Sequence, residues 1–127
     1  MESIITRGTH ILSDIINRNH QLPPKNGTIE QLVTISEDIE KVVAGEKTAT
    51  RRNDRYADIG EVMSLNNHKF VVHNVYTQSL GEMTEADAQK EGYQTLDAYK
   101  EKILSIHPGM RWVPSMRVWV HEYKRQN

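Results

Sequence analysis

Residues 116–123 alternate without a break. Met116, Val118 and Val120 fall on one side, and Arg117, Trp119, His121 and Tyr123 on the other. A period of two marks a β-strand, because successive side chains of an extended chain point to opposite faces. This segment is predicted to be the closing strand of a sheet. Met116, Val118 and Val120 should pack against a second layer. The other face carries rings and cations, which read either as core or as a platform for stacking bases.

Upstream, the chain supplies strands and helices in mixed order. Residues 61–65 and 69–77 read as two strands joined by Asn66-Asn67, since asparagine tolerates the positive φ of a tight hairpin. Residues 31–35 are rich in β-branched side chains and give a further short strand candidate. Ser36 can cap a helix that carries Glu37 and Asp38 in its first turn, where the helix dipole favours acids. Ile39, Val42 and Val43 form its apolar stripe, and Gly45 is placed to end it in the left-handed conformation. Residues 48–52 follow as an extended segment. Thr84 caps a short helix through Lys90, Thr95 or Asp97 starts another through Ser105, and His107-Pro108-Gly109 stops it. The expected fold class is α+β, with about five strands and two or three short helices packed on them.

The first part of the chain differs in character. Ile4, Ile5, Ile11, Leu12, Ile15 and Ile16 lie on one helical stripe, which predicts an amphipathic helix over residues 3–19. Pro23-Pro24 and Asn26-Gly27 then break regular structure. The division expected is an N-terminal helical extension and linker, 1–27, ahead of a domain spanning 28–127.

Composition narrows the function. The chain has 127 residues, enough for one domain with its own core, and 37 % of them are hydrophobic. No apolar run approaches the ~18 residues that a membrane-spanning helix needs. Arg7, Gly8 and His10 interrupt any signal-like apolar stretch near the start, so a cytoplasmic location is expected. There is no cysteine, which excludes disulfides, thiolate metal sites and cysteine nucleophiles. No pair of histidines stands at metal-ligand spacing, and no serine has a glycine-flanked nucleophile elbow, so neither a metal cofactor nor a serine triad is expected. The formal net charge is −1, so anion binding must come from a local cluster.

One such cluster exists. Lys47, Arg51, Arg52 and Arg55 lie close together after the first helix, interleaved with Thr48 and Thr50. A solvated basic turn is one reading. The other is a site for a phosphate or a polarised carbonyl, with neutral hydroxyl donors beside charged ones. Strand alternation places Thr48, Thr50 and Arg52 on one face and Lys47, Ala49 and Arg51 on the other. Trp112 and Arg111, in the loop after Pro108-Gly109, are candidates for a ligand rim.

The segment 39–52, with its short helix, Gly45-Glu46-Lys47-Thr48 and Thr50-Arg51-Arg52, resembles the start of an ASCH domain. Asp58-Ile59-Gly60-Glu61-Val62, Ala88-Gln89-Lys90-Glu91-Gly92 and Ile106-His107-Pro108-Gly109 follow in matching order. The resemblance covers about residues 31–124 and is nearest to the small bacterial N(4)-acetylcytidine amidohydrolases. It implies a PUA-like small β-barrel with short helices at its rim, to which this chain adds the N-terminal helix. It also implies a catalytic set without metal or cofactor: Lys47 as nucleophile, Thr50 stabilising the intermediate, and Glu91 relaying a proton. Arg52 would bind substrate, with Arg51, Arg55 and Trp112 nearby. Arg51 stands where an aliphatic residue is usual in that family, and Asn53 where an acid is usual. A lysine can attack an amide only as the neutral amine, and neighbouring cations favour that form. Amide hydrolysis on an acylated nucleoside or nucleotide is the leading expectation. An RNA-binding module, or a ribonuclease using the same cationic cleft, is the alternative.

Overall fold

The computed structural model describes residues 22–127. The helix expected over 3–19 lies outside them. Four antiparallel strands form one curled sheet in the order β1-β4-β3-β2: β1 Ala49–Arg52, β2 Val62–Leu65, β3 His68–Ser79 and β4 Arg117–Arg125. Among the described residues three α-helices accompany it: α1 Ser36–Val43, α2 Glu85–Lys90 and α3 Leu96–Ile106. The result is an α+β half-barrel of the PUA-like type with short helices around it.

Local chemistry explains most of the boundaries. Asn66 and Asn67 adopt φ of 50° and 68°, the double positive φ that a two-residue hairpin needs between β2 and β3. The Thr84 hydroxyl accepts from Asp87 N–H and caps α2, and Thr95 does the same for α3 through Ala98 N–H. Gly45 ends α1 at φ 82°. The β3–β4 ladder slips by one residue at His73, between Val72 and Asn74. Such a bulge bends a strand and adds twist, which curls this sheet toward a barrel.

Two expectations are corrected. Residues 31–35 do not form a strand. The Thr28 N–H donates to the Gln31 side chain, which favours a single 3-10 turn, Ile29–Gln31, and sends Leu32 and Val33 into the core. Apolar β-branched residues there serve burial, not a ladder, so the described residues contain four strands and not five. Ser36 is the first helical residue of α1, and Ile35 holds the cap position.

The core has two parts. The larger lies inside the curl, where Leu32, Val42, Val72, Phe70 and Tyr123 pack together. Burying one such side chain contributes about 1.5–3 kcal/mol. The smaller, built on Met83, Ala88 and Tyr99, joins α2 to α3 and takes in Tyr93 and Trp112. β4 is one of the two inner strands and is covered on both faces: Val118 and Val120 on one, His121 and Tyr123 on the other. Its aromatic face is therefore mostly core, and only Trp119 on it is half-buried. β1 is an outer strand, so its free edge is open to form one wall of a cleft.

Candidate active site

β1, the end of α2 and α3 enclose two adjoining chambers. The inner one, about 120 Å³, is walled by Lys47, Thr50, Glu91, Tyr93 and Leu32, among others. The outer one, about 420 Å³, is lined by Tyr56, Met110, Trp112, Met116 and Asn53, among others. Arg51, Arg52, Tyr99 and His107 line both, so the two chambers lie side by side across these residues. The outer volume falls in the rough 300–1,000 Å³ range of small-molecule sites.

Lys47, Thr50 and Glu91 meet in the inner chamber although α2 and β1 are far apart in sequence. Lys47 sits at the entry to β1, and its backbone N–H bonds to Lys41 O. Thr48 N–H then donates to Lys90 O at 2.7 Å, which ties this entry to the end of α2. Glu91 caps that end, and Gly92 follows at φ 95°. The turn leaves Glu91 2 % exposed and Lys47 5 % exposed. Lys47 Nζ donates to Glu91 Oε1 at 2.8 Å and to Glu91 O at 3.2 Å. A lysine at the carbonyl end of a helix also complements its dipole.

Arg51 shares the carboxylate. Its Nη1 donates to Glu91 Oε2 at 2.8 Å, while Nε and Nη2 both reach Gln78 Oε1. Asp87 lies 3.6 Å from Arg51. Burial raises the Asp87 pKa, but hydrogen bonds from the Thr84 backbone and Gln78, with the Arg51 charge, outweigh it and hold the carboxyl below its usual value. Alternation puts Arg51 on the face of β1 opposite Thr50, and Lys47, two residues before the strand, reaches the same carboxylate.

Thr50 belongs to the opposite face. It is 5 % exposed, and its hydroxyl lies 2.8 Å from the Tyr123 hydroxyl. Burial pushes the Tyr123 phenol well above its usual pKa, with only partial relief from Thr50. Behind them, His121 is fully buried. Its Nε2 accepts from Tyr56 N–H at 3.0 Å, which places its own proton on Nδ1, facing Thr50 O at 3.3 Å. Desolvation lowers this histidine to about 4.

The remaining candidates separate. Arg52 lines both chambers and donates from Nη2 to Leu32 O at 2.6 Å. Trp112 lines the outer chamber and meets Tyr99 edge-to-face. Arg55 lines neither. It turns toward Asp58, 2.9 Å away, and lies over the Trp119 ring. The geometry does not bring it to the cleft.

Asp87, Gln78 and Tyr99 are not among the residues that the sequence singles out, and Tyr123 is singled out there as core or stacking platform, not as a partner of Thr50. Asp87 had a readable signal, because it stands four residues before Glu91 on the same helical face. Gln78 had none, and neither did the contact of Tyr123 with Thr50, since both depend on strand register. Among the described residues no group of His, Asp or Glu is arranged to hold a metal ion. No described helix is long and apolar enough to cross a membrane.

The described residues share their fold with solved structures, one of them an ASCH domain. A solved ASCH domain from Lactobacillus crispatus superposes with a TM-score of 0.59 at 14 % identity, covering 70 % of each chain. A solved Enterococcus faecalis protein of the DUF984 family gives 0.54 at 17 % identity, covering 92 % of this chain and 86 % of its own. At such identities the likeness is one of fold. No family model matches the sequence. No curated protein matches it either.

Proposed function

We propose that this protein is a metal-independent amidohydrolase that removes the acyl group from the exocyclic amine of an acylated nucleoside, N(4)-acetylcytidine or a relative. The observation that carries this reading is the buried Lys47–Glu91 contact of 2.8 Å, in a chamber that also holds Thr50. A lysine is rarely buried without a charged partner, because desolvating its charge is unfavourable. Here its partner is a carboxylate that can take its proton directly.

Lys47 passes a proton to Glu91, and the neutral amine attacks the acyl carbon. Thr50 donates to the developing oxyanion. It is free to do so if Tyr123, kept protonated by burial, donates to Thr50 Oγ1. Glu91 gives its proton to the leaving exocyclic nitrogen as the C–N bond breaks, and takes one back from the Lys47 nitrogen, which became cationic on attack; this leaves a neutral acyl-lysine amide. Glu91 then loses that proton to solvent, takes one from an attacking water and returns it to the Lys47 nitrogen as that C–N bond breaks. The acyl group leaves as a carboxylic acid, whose ionisation restores the Lys47 ammonium beside the Glu91 carboxylate. The small inner chamber suits the acyl end and the larger, partly aromatic chamber suits the nucleoside.

The test is to incubate purified protein with N(4)-acetylcytidine and, separately, with a short single-stranded RNA. Release of cytidine and acetate is the expected result. Consumption of the RNA alone, or RNA affinity that falls by several decades between low and physiological salt, would replace this reading with a ribonuclease or RNA-binding role.

A further inference from the structure

We infer that the natural substrate carries an anionic oxygen group, phosphate or carboxylate, that Arg52 holds at the junction of the two chambers. This deepens the hydrolase reading of the same cleft and rests on it. Lys47 and Arg51 are both paired, through Glu91 and Asp87. Arg52 forms no ion pair with a carboxylate among the described residues. It spends one Nη2 hydrogen on Leu32 O, and its buried Nε has no protein partner.

The carboxylates around the cleft leave Arg52 without a charged partner. Glu91 and Asp87 are both taken up by Lys47 and Arg51, and the remaining wall carboxylate, Asp38, is not paired with Arg52. A half-buried guanidinium with idle donors is unfavourable unless an anion completes it. The planar fork of arginine matches the two oxygens of a phosphate or carboxylate. Asn53, beside it on the outer chamber, offers a neutral amide. Two substrate designs place the anion there: a phosphate on the sugar of the nucleotide, or a carboxylate at the far end of the acyl chain.

Two measurements decide, one catalytic and one of binding. First, kcat/KM is compared for N(4)-acetylcytidine, its 5′-monophosphate and N(4)-succinylcytidine. One anionic substrate should exceed the neutral one by about tenfold or more, carried by KM, as for a hydrogen bond to a charged group. Which one gains tells whether the anion is phosphate or carboxylate. In Arg52→Gln the ratio of anionic to neutral substrate should collapse to about one. Second, calorimetry with cytidine, cytidine 5′-monophosphate and succinate reads binding without turnover. Tighter binding of an anion, lost in Arg52→Gln, in a protein that hydrolyses none of the three substrates would sink the hydrolase reading and keep the anion site. Hydrolysis of all three at equal kcat/KM, with no binding preference for the anions, would overturn the inference and leave the hydrolase intact. Arg52 would then serve to clamp Leu32 O.

Discussion

At Glu91 one buried carboxylate balances two cations, and this makes substitutions around it unequal. Glu91→Gln leaves Lys47 and Arg51 facing a neutral amide in a dry site. Removing one side of a buried ion pair typically destabilises by about 3–5 kcal/mol. Lys47→Met removes one cation but leaves Glu91 paired with Arg51, so its loss should stay within about 1–2 kcal/mol. Urea denaturation of both variants checks the order, and a Lys47→Met protein less stable than Glu91→Gln would contradict the shared-carboxylate account. Activity separates differently. Lys47→Arg keeps the charge but forfeits a group that can shed its proton near neutral pH, so it should fold and fail to hydrolyse. Near-normal turnover of N(4)-acetylcytidine by Lys47→Arg would reduce the lysine to a source of charge. Thr50→Val should lower kcat about 10²-fold, and Tyr123→Phe by less, with little change in KM, if both act on the oxyanion as proposed. Lys47, Thr50 and Glu91 could be singled out in the sequence because the ordered motifs bracket them. Their environment could not: that Thr50 meets Tyr123 depends on a β1–β4 register that no single segment encodes.

At the scale of elements, the site depends on how α2 ends. Gly92 takes φ 95°, and a Cβ there would lie 3.0 Å from Lys41 Cδ and 3.5 Å from Lys47 Cβ. Lys41 Nζ also donates to Gly92 O and rests 4.0 Å over the Tyr93 ring. Gly92→Ala should cost about 1–2 kcal/mol through the left-handed backbone alone. It should also impair turnover by displacing Glu91 and Lys47 together. A Gly92→Ala protein with unchanged melting temperature and unchanged kcat would show that this turn positions neither group. Elements defined by local rules were legible: Asn66-Asn67 as the hairpin turn, Thr84 to Lys90 as a capped helix, and the alternation of β4. The misread segment, 31–35, shows the limit. Val33 and its neighbours look like a strand because β-branched residues suit a pleated surface. What decides their conformation is the core around Leu32, formed with Val42, Val72 and Tyr123 from distant parts of the chain.

For the molecule as a whole, titration ties the site to global stability. His121 lies between β1 and the core, accepts from Tyr56 N–H, and is held neutral. Protonating Nε2 would set two donors against each other there. The groups acting on its charge are the surrounding burial and Arg52, which oppose it, and Thr50 O, Glu91 and Asp58, which favour it; burial is the largest. The folded-state pKa is depressed from 6.5 to about 4, so the unfolded chain binds the proton first as pH falls. Stability from this group is complete above about 6.5, declines between 6.5 and 4, and does not change further below 4. The total is on the order of 3 kcal/mol at most, at about 1.36 kcal/mol per pKa unit. Asp87, whose pKa is lowered, extends the acid loss to still lower pH, below the usual carboxylate value. Lys25, whose pKa is raised by its hydrogen bond to Glu61, acts in the opposite sense: its contribution is present below 10.5 and fades as pH rises through its higher folded value. Urea midpoints measured from about pH 8 down to about pH 4 should therefore fall mainly below 6.5. His121→Gln should be less stable at neutral pH and much flatter over the same interval, because the group that titrates is gone. If the variant keeps the full wild-type slope between pH 6.5 and 4, the acid sensitivity arises elsewhere and His121 is not the group that couples pH to the β1 edge.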